Sequence, residues 1–204
     1  MTAIIDYDAG NLKSVEKALA LLGEDAVITR DADVIKNADR VILPGVGSFG
    51  MAMEQLEKYN LCDVIREVCS MNIPFLGICL GLQLLFEGSD ETPDVAGLGI
   101  LKGHIRRIPD APGLKIPHIG WNDIKYPNQG RLYADVQEGA YVYFVHSYYL
   151  DATDKSIVTA TTKYGEANIE ASVESGNVFA CQFHPEKSGD VGLNILKQFI
   201  RITR

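Results

Sequence analysis

The chain has 204 residues, with 19 Lys plus Arg against 27 Asp plus Glu, giving a net charge of −8. A chain of this length fills one ordinary globular domain, here expected over residues 1–204, and it buries roughly 70% of its unfolded surface without needing disulfides. The acidic balance, with no basic block anywhere, argues against a nucleic-acid partner, which would need clustered Lys and Arg against phosphate.

Met1-Thr2-Ala3-Ile4-Ile5-Asp6 enters strand-like sequence at once. There is no charged n-region and no long apolar h-region, so neither a signal peptide nor a membrane span is expected. Cys62, Cys69, Cys79 and Cys181 show neither a CxxC pair nor zinc-like spacing with histidine. They read as reduced thiols, which makes the cytoplasm the expected compartment, with no metal and no cofactor.

In chain order, Ala3–Tyr7 is an apolar run ending in an acid and the loop Asp8-Ala9-Gly10-Asn11. Leu12, Val15, Ala18, Leu19 and Leu22 then recur at helical spacing until Gly23. Ala26–Thr29 and Val41–Leu43 follow as strands, and Phe49–Tyr59 and Cys62–Met71 as helices. Phe75–Cys79 is a buried-strand run, and Gln83–Phe86 starts the next helix. Strands spaced by helices predict a mostly parallel sheet covered on both faces. From about Gly97 the pattern becomes Gly99–Ile108, Ile119–Tyr126, Tyr141–Leu150, Ile157–Thr162, Ala167–Glu174 and Val178–Phe183, all strand-like. Turn residues such as Ser175-Gly176-Asn177 join them, and Asn194–Ile202 closes the chain as a helix. The fold class is α/β with an antiparallel extension.

Phe75-Leu76-Gly77-Ile78-Cys79-Leu80-Gly81-Leu82-Gln83 places G-x-C-x-G between a buried strand and a helix. This is the cysteine form of a nucleophile elbow, whose tight turn needs small neighbours and lifts the side chain out at the strand's carboxyl end. A helix amino terminus and a nearby histidine there favour thiolate. Cys62 and Cys69, on a helical pattern, read as small buried hydrophobes. In Cys181-Gln182-Phe183-His184-Pro185-Glu186, extended backbone would put His184 and Glu186 on one side. The carboxylate then fixes the imidazole tautomer, as in a triad. The loop Pro44-Gly45-Val46-Gly47 offers free backbone N–H groups to an oxyanion, with the N–H of Leu80 as the other donor. Glycines around Val46 allow a peptide there to flip between inactive and active orientations.

Gly77-Ile78-Cys79-Leu80-Gly81-Leu82-Gln83, followed by His184-Pro185-Glu186, resembles the class I glutamine amidotransferases. Asp6-Tyr7-Asp8-Ala9-Gly10-Asn11-Leu12, Leu43–Gly47, Pro117-His118-Ile119-Gly120-Trp121-Asn122 and Tyr143–Tyr148 look like the glutaminase subunits of imidazole glycerol phosphate synthases within that family. The resemblance implies a flavodoxin-like fold and a Cys79–His184–Glu186 triad that releases ammonia from glutamine through a thioester. It implies oxyanion donors at Val46 or Gly47 and at Leu80. Glutamine contacts would come from Gln83, Glu91, Ser147 and Tyr148. It also implies a (β/α)8-barrel cyclase as partner, with Asn11, Trp121, Tyr143 and Lys187 at the interface. Aromatic side chains in strands near that face fit an interface core; ordinary packing is the plainer reading of each, as a solvated charge is for Glu91.

Other readings compete. Gly45-Val46-Gly47-Ser48-Phe49-Gly50 is literally G-x-G-x-x-G after a strand, which suggests a dinucleotide site, but no acid ends the next strand. A binding subunit without chemistry and a glutaminase feeding another synthase, such as that for pyridoxal phosphate, are the remaining alternatives. His118 and His146 lie in strand patterns with no acid two residues away and read as structural or interface residues, and His104 carries no signal.

Overall fold

A computed structural model describes residues 1–204. The first half alternates β1 (Thr2–Ile5), α1 (Leu12–Leu21), β2 (Ala26–Thr29), α2 (Ala32–Lys36), β3 (Arg40–Gly45), α3 (Phe49–Lys58), α4 (Leu61–Ser70), β4 (Phe75–Cys79) and α5 (Leu80–Leu84). The second half holds β5 (Gly88–Ser89), β6 (Gly103–Arg107), β7 (His118–Asp123), β8 (Tyr141–His146), β9 (Tyr148–Ala152), β10 (Val158–Tyr164), β11 (Ala167–Ser175), β12 (Val178–Cys181) and α6 (Gly189–Arg201).

The main sheet runs β2-β1-β3-β4-β12-β11-β9-β6-β5, with β10 paired to β11. Its first five strands are mutually parallel, and β11, β9, β6 and β10 join through antiparallel ladders. Alternation along the parallel strands sorts the core onto two faces. Ala3, Ile5 and Phe75 pack with Met53, Leu56, Ile65 and Val68 of α3 and α4. Ile4, Leu76 and Ile78 pack with Val15 and Leu19 of α1 and with Ile195, Leu196 and Phe199 of α6. Both faces are therefore dry, which is why these strands read as continuous apolar runs. The expected α/β architecture with an antiparallel extension is borne out.

Several local expectations change. The helix expected to start at Gln83 begins directly after Cys79 and ends at Leu84. It does not continue through Phe86 because the N–H groups of Leu85 and Phe86 tighten onto the carbonyls of Leu82 and Gln83, both at 3.2 Å, and that of Glu87 turns away to the Gly103 carbonyl at 3.2 Å. The loop Leu98–Leu101, whose N–H groups donate to the carbonyls of Leu84, Leu85 and Phe86, takes Gly99–Lys102 away from the strand expected there, so β6 starts at Gly103. The run Tyr141–Leu150 is two strands broken at Ser147: β8 pairs with β7 in a separate two-stranded ribbon, while β9 joins the main sheet. The first strand spans Thr2–Ile5, leaving Asp6 and Tyr7 to the loop. Helix α2 gave no periodic signal, having a single buried apolar residue, Ile35; its start is capped by Asp31, which accepts from the N–H groups of Asp33 and Val34. No helix is long and apolar enough to cross a membrane.

Candidate active site

The register of β3 and β4 sets Gly45 opposite Cys79, and that of β4 and β12 sets Ile78 opposite Cys181. The segments leaving β3, β4 and β12 therefore converge at one edge, the carboxyl ends of parallel strands where ligands bind in open α/β sheets.

Cys79 has φ 55° and ψ −109°, in left-handed territory that a side chain rarely occupies. Holding it there costs on the order of 1–3 kcal/mol, so the surroundings must enforce it. The glycine bracket is what makes the turn fit. A Cβ on Gly77 would stand 2.6 Å from the Gly81 carbonyl oxygen, and one on Gly81 would stand 1.9 Å from that of Leu43. The turn leaves the sulfur 3.6 Å from the side-chain nitrogen of Gln182 and 3.9 Å from the carbonyl of Val145. Because α5 is only five residues long, it has little macrodipole.

His184 and Glu186 do meet, through different backbone than the sequence suggested. The strand ends at Cys181 and Pro185–Lys187 form a 3₁₀ turn, so the pair is not two positions on one extended face. Proline presets the turn's first position. The N–H of His184 donates to Tyr143, and its carbonyl accepts from the Ser188 hydroxyl at 2.6 Å, which locks the imidazole's backbone. His184 Nδ1 lies 2.8 Å from Glu186 Oε1, with both side chains buried. Nε2 has no hydrogen-bond partner in the chain. Burial opposes the charged imidazole, but the neighbouring Cys79 sulfur and Glu186 together overcome it and raise the pKa to about 9. The surroundings of His184 thus favour its protonated form.

A cavity of about 340 Å³ opens onto these groups, near the lower end of the roughly 300–1,000 Å³ usual for small-molecule sites. The structure brings Val46, Gly47, Leu80, Gln83, Glu91, Ser147, Tyr148 and Lys187 to its walls, together with Cys79 and His184. Gly47 holds φ +97° and has open space around it, leaving the loop room to reorient. Glu91 is not a freely solvated charge: its carboxylate accepts from the N–H of Phe49 at 2.8 Å, at the start of α3. Thr92 takes the N–H of Gly50. The helix terminus that a dinucleotide's phosphates would need is thus already occupied by an anionic side chain, which excludes that reading of the G-x-G-x-x-G run.

Two buried residues at the site carried no expectation. Gln182 is fully buried between Cys79 and Gln83, accepting from Gln83 Nε2 at 3.0 Å. An amide one residue beyond an apolar strand, two before the histidine, was its only signal. Tyr7 donates to the Pro44 carbonyl at 2.9 Å and fastens the glycine loop from below. Of the expected interface residues, Lys187 lines the cavity and Asn11, Trp121 and Tyr143 do not. Trp121 is 55% exposed, and its ring meets that of Tyr143 edge-on at 6.0 Å. Ile119 and Tyr141 are exposed beside them on the ribbon, and Lys187 is exposed at the mouth. Asn11 is half-buried at the head of α1.

The sequence matches the family described as Glutamine amidotransferase class-I over residues 3–202. The chain belongs to that family. Among its relatives, subunit HisH of imidazole glycerol phosphate synthase from Bacillus cereus is 49% identical over 98% of this chain and 93% of its own length. The Aquifex aeolicus HisH subunit is 50% identical over 98% of this chain and 96% of its own. At that identity over nearly the full length, this glutamine amidotransferase falls within the HisH subunit family. A crystal structure of a glutamine amidotransferase has the same fold, with a TM-score of 0.74 at 20% identity, covering 97% of this chain and 98% of that one.

Proposed function

We propose that residues 1–204 form one glutamine amidotransferase domain in which Cys79 is the nucleophile, His184 the proton carrier and Glu186 its orienting carboxylate. The observation that carries this reading is the buried His184 imidazole, held at Nδ1 by Glu186 and free at Nε2, beside a strained cysteine that lines the cavity. The thiolate attacks the carbonyl carbon of the glutamine side-chain amide, and the oxyanion that forms is met by the N–H of Leu80 and by an N–H of the Val46–Gly47 loop. His184 gives its proton to the departing nitrogen, so ammonia leaves and a glutamyl thioester remains on Cys79. Neutral His184 then takes a proton from water, whose oxygen attacks the thioester and releases glutamate. Gln83, Glu91 and the Ser147–Tyr148 backbone hold the amino-acid end of the substrate.

The ammonia passes to a (β/α)8-barrel cyclase subunit. Ile119, Trp121, Tyr141 and Tyr143 present an aromatic and apolar surface, suited to an interface core, on the ribbon whose β8 also lines the cavity through Val145 and His146, and Lys187 and Asn11 add polar contacts. Docking there closes the cavity against bulk water, so ammonia leaves towards the partner. All four cysteines are free, in keeping with a cytoplasmic location.

The covalent step has a direct test. Acid-quenching the complex during turnover and digesting it should place a glutamyl adduct on the peptide carrying Cys79. An adduct on Cys181, or on no cysteine, would refute the assignment.

A further inference from the structure

Buried behind the cavity is a pair of histidines that the proposed chemistry does not use. His146 ends β8 and lines the cavity, and His118 opens β7 on the paired strand. His118 is 3% exposed and His146 6%. Their rings join through His118 Nδ1 and His146 Nε2 at 3.0 Å. His146 Nδ1 lies 2.8 Å from the carbonyl of Tyr148. At the other end, Asn122 Nδ2 lies 3.4 Å from His118 Nε2 and 2.8 Å from the carbonyl of Lys163. His118 is also stacked between Phe144, at 4.8 Å, and Tyr164, at 3.9 Å.

These contacts fix every proton. A carbonyl only accepts, so His146 carries hydrogen on Nδ1 and a neutral ring presents Nε2 as an acceptor. His118 must then carry its hydrogen on Nδ1, and its own Nε2 accepts from the Asn122 amide. A proton added to either ring would set two N–H groups against each other in a buried site. Burial points the same way, holding both imidazoles well below their ordinary pKa, His118 at about 4 and His146 at about 3. The titratable groups against the pair are Tyr164 on the His118 side and His184 on the His146 side.

The chain ends on the carbonyl of Tyr148, which also accepts from Gln83 Nε2 at 3.2 Å. Tyr148 follows the break at Ser147, where the backbone leaves the ribbon for the main sheet along the cavity wall. We propose that His118 and His146 form a neutral, one-directional hydrogen-bond relay that positions the Ser147–Tyr148 segment to grip glutamine, acting on substrate affinity rather than on the bond-breaking step. This rests on the reading that the cavity holds glutamine. Without the relay, the Tyr148 carbonyl keeps only Gln83, and the segment can rotate away from the cavity.

The relay itself is tested on the wild-type chain by ¹⁵N NMR of labelled histidines. Both rings should appear as neutral Nδ1–H tautomers at pH 7, with a coupling across the His118–His146 hydrogen bond; an Nε2–H tautomer or an imidazolium at either position would overturn it. Its role is tested by glutaminase kinetics in the partner-bound complex with His118→Phe, which keeps the stacked ring but not the donor. The KM for glutamine should rise roughly tenfold, as for a buried acceptor that loses its donor, with kcat within about twofold. His118→Asn, whose amide donates from the Nδ1 position, should restore most of the KM. An unchanged KM, a fall confined to kcat, or an Asn variant no better than Phe would overturn the proposal. If wild type itself released no glutamate while the NMR signature held, the failure would lie with the glutamine reading instead.

Discussion

At the scale of single residues, the site depends on charges placed where water cannot screen them. Burial alone would drive the His184 imidazole neutral, and the Cys79 sulfur and the Glu186 carboxylate reverse that. Glu186→Gln keeps an oxygen to accept from Nδ1 but removes the charge, so the His184 midpoint should fall from about 9. The sign follows from the remaining terms, since burial still lowers the pKa while one of the two effects raising it is gone. An NMR titration of His184 checks this, and a midpoint unmoved by the substitution would mean that Cys79 alone holds the proton. The residues were unevenly legible. Cys79 stood out because glycines bracket it between a strand and a helix, and His184 and Glu186, a weak signal alone, gained weight from that elbow upstream. Gln182 and Tyr7 did not, because a buried amide and a buried phenol show their partners only once β12 and the glycine loop are folded.

At the scale of elements, the elbow works because three backbones pass unusually close. Gly81→Ala would press a methyl group into the Leu43 carbonyl at 1.9 Å, on β3, whose backbone cannot retreat without breaking its ladder to β4. Overpacking of this kind costs roughly 1–3 kcal/mol or more, so the variant should melt well below wild type; equal melting temperatures would show that the elbow has slack. The parallel strands were readable from their apolar runs, because both faces are covered and each residue faces a dry core. The break at Ser147 was not readable: Tyr141–Leu150 keeps strand-like composition throughout, and only the Tyr148 carbonyl's bond to His146 and the change of pairing partner divide it. The end of α5 at Leu84 likewise depends on the N–H of Glu87 turning to the carbonyl of Gly103, a long-range event with no local signature.

At the scale of the whole molecule, a sheet edge collects the chemistry and a two-stranded ribbon beside it carries the exposed aromatic surface. Trp121 is the largest exposed side chain on the ribbon, and Trp121→Ala should weaken binding of the cyclase by at least about thirtyfold, the scale of an interface hot spot. Calorimetry of the two subunits reads this directly, and an unchanged affinity would remove Trp121 from the interface. The central claim is that this chain turns glutamine into glutamate and ammonia on Cys79 for a barrel partner. It is tested most directly by measuring glutamate release by the purified chain, alone and with the cyclase carrying its nucleotide ligand, beside Cys79→Ala. Strong stimulation by the loaded partner, abolished in the variant, is the predicted result; release that ignores the cyclase, or that survives loss of the thiol, would contradict it.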